Sequence, residues 1–151
     1  MARRDTDGFG DLFANLNNPV GSTGNPDDVM VVQGLLQLHW EFSTAAQHLV
    51  PSKPPVDGAT SKTNTILIAQ FQKEIMKRPK PPGFVNPATR FDVKSLSGST
   101  IWMLNQRATV ILAASGRGKL NPVDYLITNF SALTGPLGAP RERHMIQNDT
   151  R

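Results

Sequence analysis

The stretch V-D-G-A-T-S-K-T-N-T-I-L-I-A-Q-F-Q-K, Val56 to Lys73, decides the fold, because it joins a tight turn directly to an amphipathic helix. Asp57-Gly58 is turn chemistry: Asp bonds backbone two residues on, and Gly accepts positive φ without steric cost. Thr60 or Ser61 then caps a helix by accepting from an orphan backbone N–H. Leu67, Ile68, Phe71 and Ile75 follow at three- and four-residue spacings on one face, which therefore seeks a core. The helix ends in Lys77-Arg78 before Pro79, a cationic last turn followed by a breaker.

Upstream, Asn25-Pro26-Asp27-Asp28 opens a first helix, with Asn as cap, Pro at the first helical position and two acids at the positive end of the dipole. Val29, Val32, Leu36 and Trp40 form its apolar stripe, widened by Leu35. Trp40 has two readings, an interior aromatic or a rim residue that stacks on a ligand. Beyond Ser43, T-A-A-Q-H-L-V either continues this helix or forms a separate turn before the linker Pro51-Ser52-Lys53-Pro54-Pro55. His39 and His48 are nine residues apart, on opposite sides of any continuous helix, which argues against a shared metal.

Downstream, P-K-P-P-G-F-V-N-P-A-T-R-F-D-V-K is too rich in Pro for a central strand and reads as a loop with one or two short pairings. Its cations, Lys80, Arg90 and Lys94, with Lys77 and Arg78, make either a solvated loop or an anion-binding rim. Ser97 to Thr100 caps a third helix carrying Ile101, Leu104, Ala108 and Ile111, whose second half also has strand character. Asn121-Pro122 starts a fourth, with Val123, Ile127, Phe130 and Leu133 on one face and a stop at Gly135-Pro136. Helices are thus predicted near 27–41, 61–77, 99–114 and 122–133. Residues before Gly24 read as a mobile arm that docks Phe9, Leu12, Phe13 and Leu16 only in context.

At 151 residues the chain is long enough for one core, and 38% hydrophobic with 19% charged residues suits a globular domain rather than a disordered one. A formal charge of +4 favours anionic surfaces without choosing among them. The absence of cysteine excludes thiol chemistry and disulfides. No window reaches a transmembrane length, and the basic N-terminus lacks an apolar stretch behind it, so neither a membrane span nor a Sec signal is expected. The expected location is cytoplasmic at synthesis, with any passage to the periplasm or cell wall by a signal-independent route.

Catalytic residues are sparse, with three Glu and three His. Glu41 and Glu74 both flank apolar stripes, which leaves a paired-carboxylate glycosidase geometrically conceivable, but hydrolase activity is not expected. The segment A-A-S-G-R-G-K-L fails the spacing of a phosphate-binding loop, and the chain lacks the aromatic-basic interleaving of a nucleic-acid binder. No cofactor or metal is expected.

Several pieces together resemble the peptidoglycan-binding domain family of small cell-wall modules. They are D-D-V-M-V-V-Q-G-L-L (Asp27 to Leu36), V-D-G (Val56 to Gly58), Asn64-Thr65 with I-A-Q-F-Q-K (Ile68 to Lys73), G-F-V-N-P (Gly83 to Pro87) and S-T-I-W-M-L-N (Ser99 to Asn105). The resemblance spans Val20 to Asn105 and departs from the family at Ala59 to Lys62, where many members place Gly-Pro, and in the proline-lengthened loop before Gly83. It implies a mainly α fold, a compact three-helix core with an added C-terminal helix and long Pro/Gly-rich loops. The division expected is a 1–19 arm, a 20–105 domain and a 106–151 helical extension and tail.

Functionally, the resemblance implies non-catalytic binding of the glycan or peptide of peptidoglycan, on a rim of Asp57, Lys62, Lys80 and Arg90 with Trp40. Similar modules in contractile secretion systems and phage tails imply a protein partner as well. The alternative is an adaptor or assembly component on the same fold without wall binding.

Overall fold

The computed structural model describes residues 2–6, 12–89 and 99–138, and the chain is mainly helical. In order come β1 (Arg3–Thr6), β2 (Leu12–Asn15), α1 (Pro26–Glu41), α2 (Thr44–Leu49), α3 (Lys62–Glu74), α4 (Thr100–Ala114) and α5 (Pro122–Asn129). A 3-10 turn (Ser131–Leu133) and α6 (Thr134–Leu137) close the described chain.

The punctuation read from the sequence sets most helix starts. Ser61 Oγ accepts from Asn64 N at 3.2 Å, Ser99 Oγ from Trp102 N at 3.2 Å, and Asn121 Oδ1 from Asp124 N at 2.8 Å. Asn25 occupies the cap position of α1 but its side chain makes no cap bond; Pro26 and the acids Asp27 and Asp28 mark that start instead. The run after Ser43 is a separate helix, α2, because Ser43 adopts an extended conformation and its hydroxyl accepts from Ala46 N.

Helix ends differ more. α3 stops at Glu74 rather than Lys77: Lys77 takes a left-handed conformation (φ 58°), and Arg78 N–H donates back to Gln72 O at 3.0 Å. This bond, from a residue six positions further along the chain, satisfies an orphan carbonyl at the helix end. α4 is helical through Ala114, its second half included. The single helix expected over 122–133 breaks at Phe130, whose ring packs edge-on to Tyr125 with centroids 6.4 Å apart.

α1 is the central element, not α3. Residues 31–39 are all buried, and the helix packs on α2, α3, α4, α5 and β2. One core runs from Ala2 to Leu137 and includes Val29, Val32, Leu35, Leu36, Leu67, Ile68, Phe71, Ile101, Leu104 and Leu126. It crosses all three expected segments, and α4 runs through the expected 105/106 boundary.

The N-terminal residues are part of this core. β1 and β2 pair antiparallel, Arg3 opposite Asn15, and Phe13, Ala14 and Leu16 are buried. The side-chain amide of buried Asn105 completes the outer edge of β2, accepting from Ala14 N at 2.8 Å and donating to Ala14 O at 2.9 Å. Asn15 likewise pairs with Ala88 N and O. Two buried amides thus bind a strand that apolar spacing reads as an arm. In the Pro-rich loop, Val20 and Val85 form one antiparallel bridge.

Candidate functional site

Three buried side-chain amides hold the loops around α1 and α3. Gln33 Oε1 accepts from Asp57 N at 2.9 Å and Gly58 N at 2.8 Å, while its Nε2 donates to Asp57 Oδ1 and Ala59 O at 3.0 Å each. Asn64 Nδ2 adds a bond to the same Ala59 carbonyl. Gln72 Oε1 accepts from Gly83 N, and its Nε2 donates to Phe84 O and Thr100 Oγ1. The pieces quoted for the resemblance therefore meet through Gln33 and Gln72. Gly58 has φ 78° and a Cβ there would lie 3.0 Å from Pro26 O, so glycine is required on two counts.

Between α2 and α3 lies an open groove of about 900 Å³, lined by Thr44, Ala45, His48, Leu49, Ile66, Ala69, Gln70, Lys73, Glu74 and Pro81. Leu49 and Ile66 are exposed large apolar residues. The groove follows from two short helices with apolar positions facing outward, separated by the prolines of residues 51–55.

A polar cluster joins the groove through Gln70 and Glu74. Glu74 Oε1 accepts from Ser43 Oγ at 2.6 Å and from Gln70 Nε2. Since a carboxylate only accepts, the Gln70 nitrogen faces Glu74 and its Oε1 faces His39 Nε2 at 2.9 Å. His39 therefore donates from Nε2, and its Nδ1 accepts from Arg107 Nε at 3.3 Å. Burial pushes the fully buried His39 imidazole below its ordinary pKa, more strongly than the Gln70 bond and Glu74 raise it. For Glu74, partial burial raises the pKa, but the bonds from Ser43 and Gln70 and the nearby cations together bring it below the usual carboxylate value. With His39 neutral near pH 7, Arg107 is the cation that acts on Glu74 there.

The sequence-predicted rim is placed elsewhere. Asp57 is exposed, yet its carboxylate serves the turn: the Ala59 N–H and then Gln33 hold its pKa below the ordinary value. Lys62 is exposed on the first turn of α3 and Lys80 is exposed on the following loop. Trp40 is half-buried and its indole N–H donates to Val50 O at 2.7 Å. Arg90 and Lys94 lie outside the described residues. Among the described residues, no hydrogen bond or ion pair joins Asp57, Lys62, Lys80 and Trp40, and none of these four lines the α2–α3 groove.

The groove residues escape sequence reading because Ile66 and Ala69 look like the flank of a buried stripe. Only the exposed, off-stripe placement of Ile66 beside Lys73 gives a signal. His39 and His48 are on different helices, one buried and one exposed, and no cluster suited to a metal occurs among the described residues. Glu41 lies 3.9 Å from Lys53 and Glu74 is engaged by Ser43 and Gln70. No helix among the described residues is long and apolar enough to cross a membrane. No protein-family model, curated protein or solved structure matches the chain.

Proposed function

We propose that this chain is a non-catalytic module that binds peptidoglycan, seating the peptide part of the wall in the α2–α3 groove. The groove is the observation that carries the reading: apolar Ala45, Leu49, Ile66, Ala69 and Pro81 offer a surface for short alkyl side chains, while Lys73, Glu74 and Gln70 offer polar groups for a peptide. Among the described residues this lining holds no Trp, Tyr or Phe ring to serve as a platform for a sugar, which favours peptide over glycan. The Gln33 and Gln72 brackets, which tie together the pieces resembling wall-binding modules, support the same reading. A glycosidase acid needs a raised pKa, and Glu74 is held in the opposite direction. A contractile secretion system or phage tail is the setting we attach to this module, with a protein of that assembly as second partner.

Co-sedimentation with purified, protein-free sacculi tests the reading. Wild type is retained, and Ile66→Asp, which puts a charge on the groove wall, lowers retention at unchanged circular dichroism. Equal retention of the folded variant would move the site out of the groove, toward the rim of Lys62 and Lys80. No retention of wild type would favour a protein adaptor, a reading to which the exposed Phe42, Leu49, Ile66, Phe84 and Val110 lend support.

A further inference from the structure

Glu74 presents an asymmetric carboxylate to the groove. Its Oε1 takes both internal hydrogen bonds, from Ser43 and Gln70, whereas Oε2 has no partner among the described residues. The Glu74 side chain is 33% exposed and lines the groove. The next residue back, Lys73, is exposed, lines the same groove and has no hydrogen bond or ion pair among the described residues. An anchored anion and a cation without a partner among the described residues thus line one cleft, whose other walls are apolar Ala45, Leu49, Ile66, Ala69 and Pro81 with Thr44, His48 and Gln70.

That juxtaposition is complementary to a ligand carrying an ammonium and a carboxylate on one carbon at the end of an alkyl chain. We infer that the groove selects peptides whose side chain ends in an amino-acid zwitterion, with the ammonium on Glu74 Oε2, the carboxylate on Lys73 Nζ and the alkyl stem along Ile66 and Ala69. The inference rests on the wall-peptide reading above and adds the selectivity of that site. Stem peptides containing meso-diaminopimelate carry such an end; stem peptides containing lysine carry only the ammonium. Glu74 serves both, but Lys73 has a partner only in the first. Rigidity favours discrimination: Gln70 and Ser43 fix the Glu74 carboxylate before a ligand arrives, so little ordering is needed on binding.

Isothermal titration with two soluble stem tripeptides, one with meso-diaminopimelate and one with lysine at the third position, tests the inference, alongside free meso-diaminopimelate and sacculus co-sedimentation. The diaminopimelate peptide is expected to bind about tenfold more tightly than the lysine peptide, the factor carried by one charge-assisted pair. Lys73→Met, on the exposed face of α3, should erase that difference. Glu74→Gln should weaken both peptides, with thermal melts checking its fold because Glu74 also holds Ser43 and Gln70.

Equal affinity of the two peptides for wild type would overturn the selectivity while leaving wall-peptide binding intact. Retention on sacculi without binding of either peptide would overturn it in favour of the glycan. Loss of both sacculus and peptide binding would remove the proposed function itself. Free diaminopimelate binding as tightly as the tripeptide would overturn the peptide source and assign the site to the free amino acid.

Discussion

Replacing Gln33 by Ala removes a single amide that four bonds of 2.8–3.0 Å engage. Gln33 is 3% exposed and Gly58 is buried, so the Gly58 N–H loses its acceptor in a site with little access to water. Asp57 is exposed, and its N–H and carboxylate regain partners from solvent. The Ala59 carbonyl keeps its bond from Asn64 Nδ2. The cost is therefore close to one unsatisfied buried donor plus the lost bonds to a charged group, about 2–4 kcal/mol, rather than the sum over four bonds. In urea, with a slope of about 2 kcal/mol per molar, the midpoint should fall by roughly 1–2 M. The Asp57 pKa, read by NMR titration, should rise toward the ordinary range as one of its hydrogen bonds disappears. A midpoint within about 0.3 M of wild type would be less than any value expected from an orphaned buried donor, and would refute the bracket as a source of stability.

Phe71→Ala should cost about 3–5 kcal/mol by denaturant titration, because the side chain is fully buried and packs edge-on to His39 at 5.1 Å; a loss under about 1 kcal/mol would place it outside the core. Gly34→Ala sets a helix-propensity gain of about 1 kcal/mol against overpacking of about 1–3 kcal/mol, since a Cβ would meet Leu126 Cδ2 at 2.5 Å and Phe130 at 3.1 Å; a modest net loss in thermal melts is expected. Stability should rise with pH through a window ending near His39's ordinary value of 6.5, because the unfolded chain binds the proton that the buried, lowered imidazole refuses. His39→Gln should flatten that slope, whereas an unchanged slope would assign the dependence to other groups.

The sequence by itself determined the helical character of this protein and the places where helices begin. Those features are local: Ser61, Ser99, Asn121 and Pro122 act within one turn, and the stripes of α3 and α4 need only 3.6-residue periodicity. It also exposed the Asp57-Gly58 turn, whose chemistry lies in two adjacent residues. Tertiary structure decided what required distant partners. Residues 12–16 lack the spacing of a core element, yet Asn105 satisfies the Ala14 backbone across 91 residues of chain, Asn15 bonds the Ala88 backbone across 73, and Phe13 and Leu16 lie inside. α1 became the centre because the polar residues that interrupt its stripe, Gln33, Gln37 and His39, each found a buried partner, on the turn, on Pro54 and on Gln70. The groove is likewise a product of packing. Leu49 and Ile66 belong to different helices, and only the angle at which the 51–55 linker returns the chain sets their apolar surfaces beside Lys73 and Glu74, a relation that no spacing along the sequence encodes.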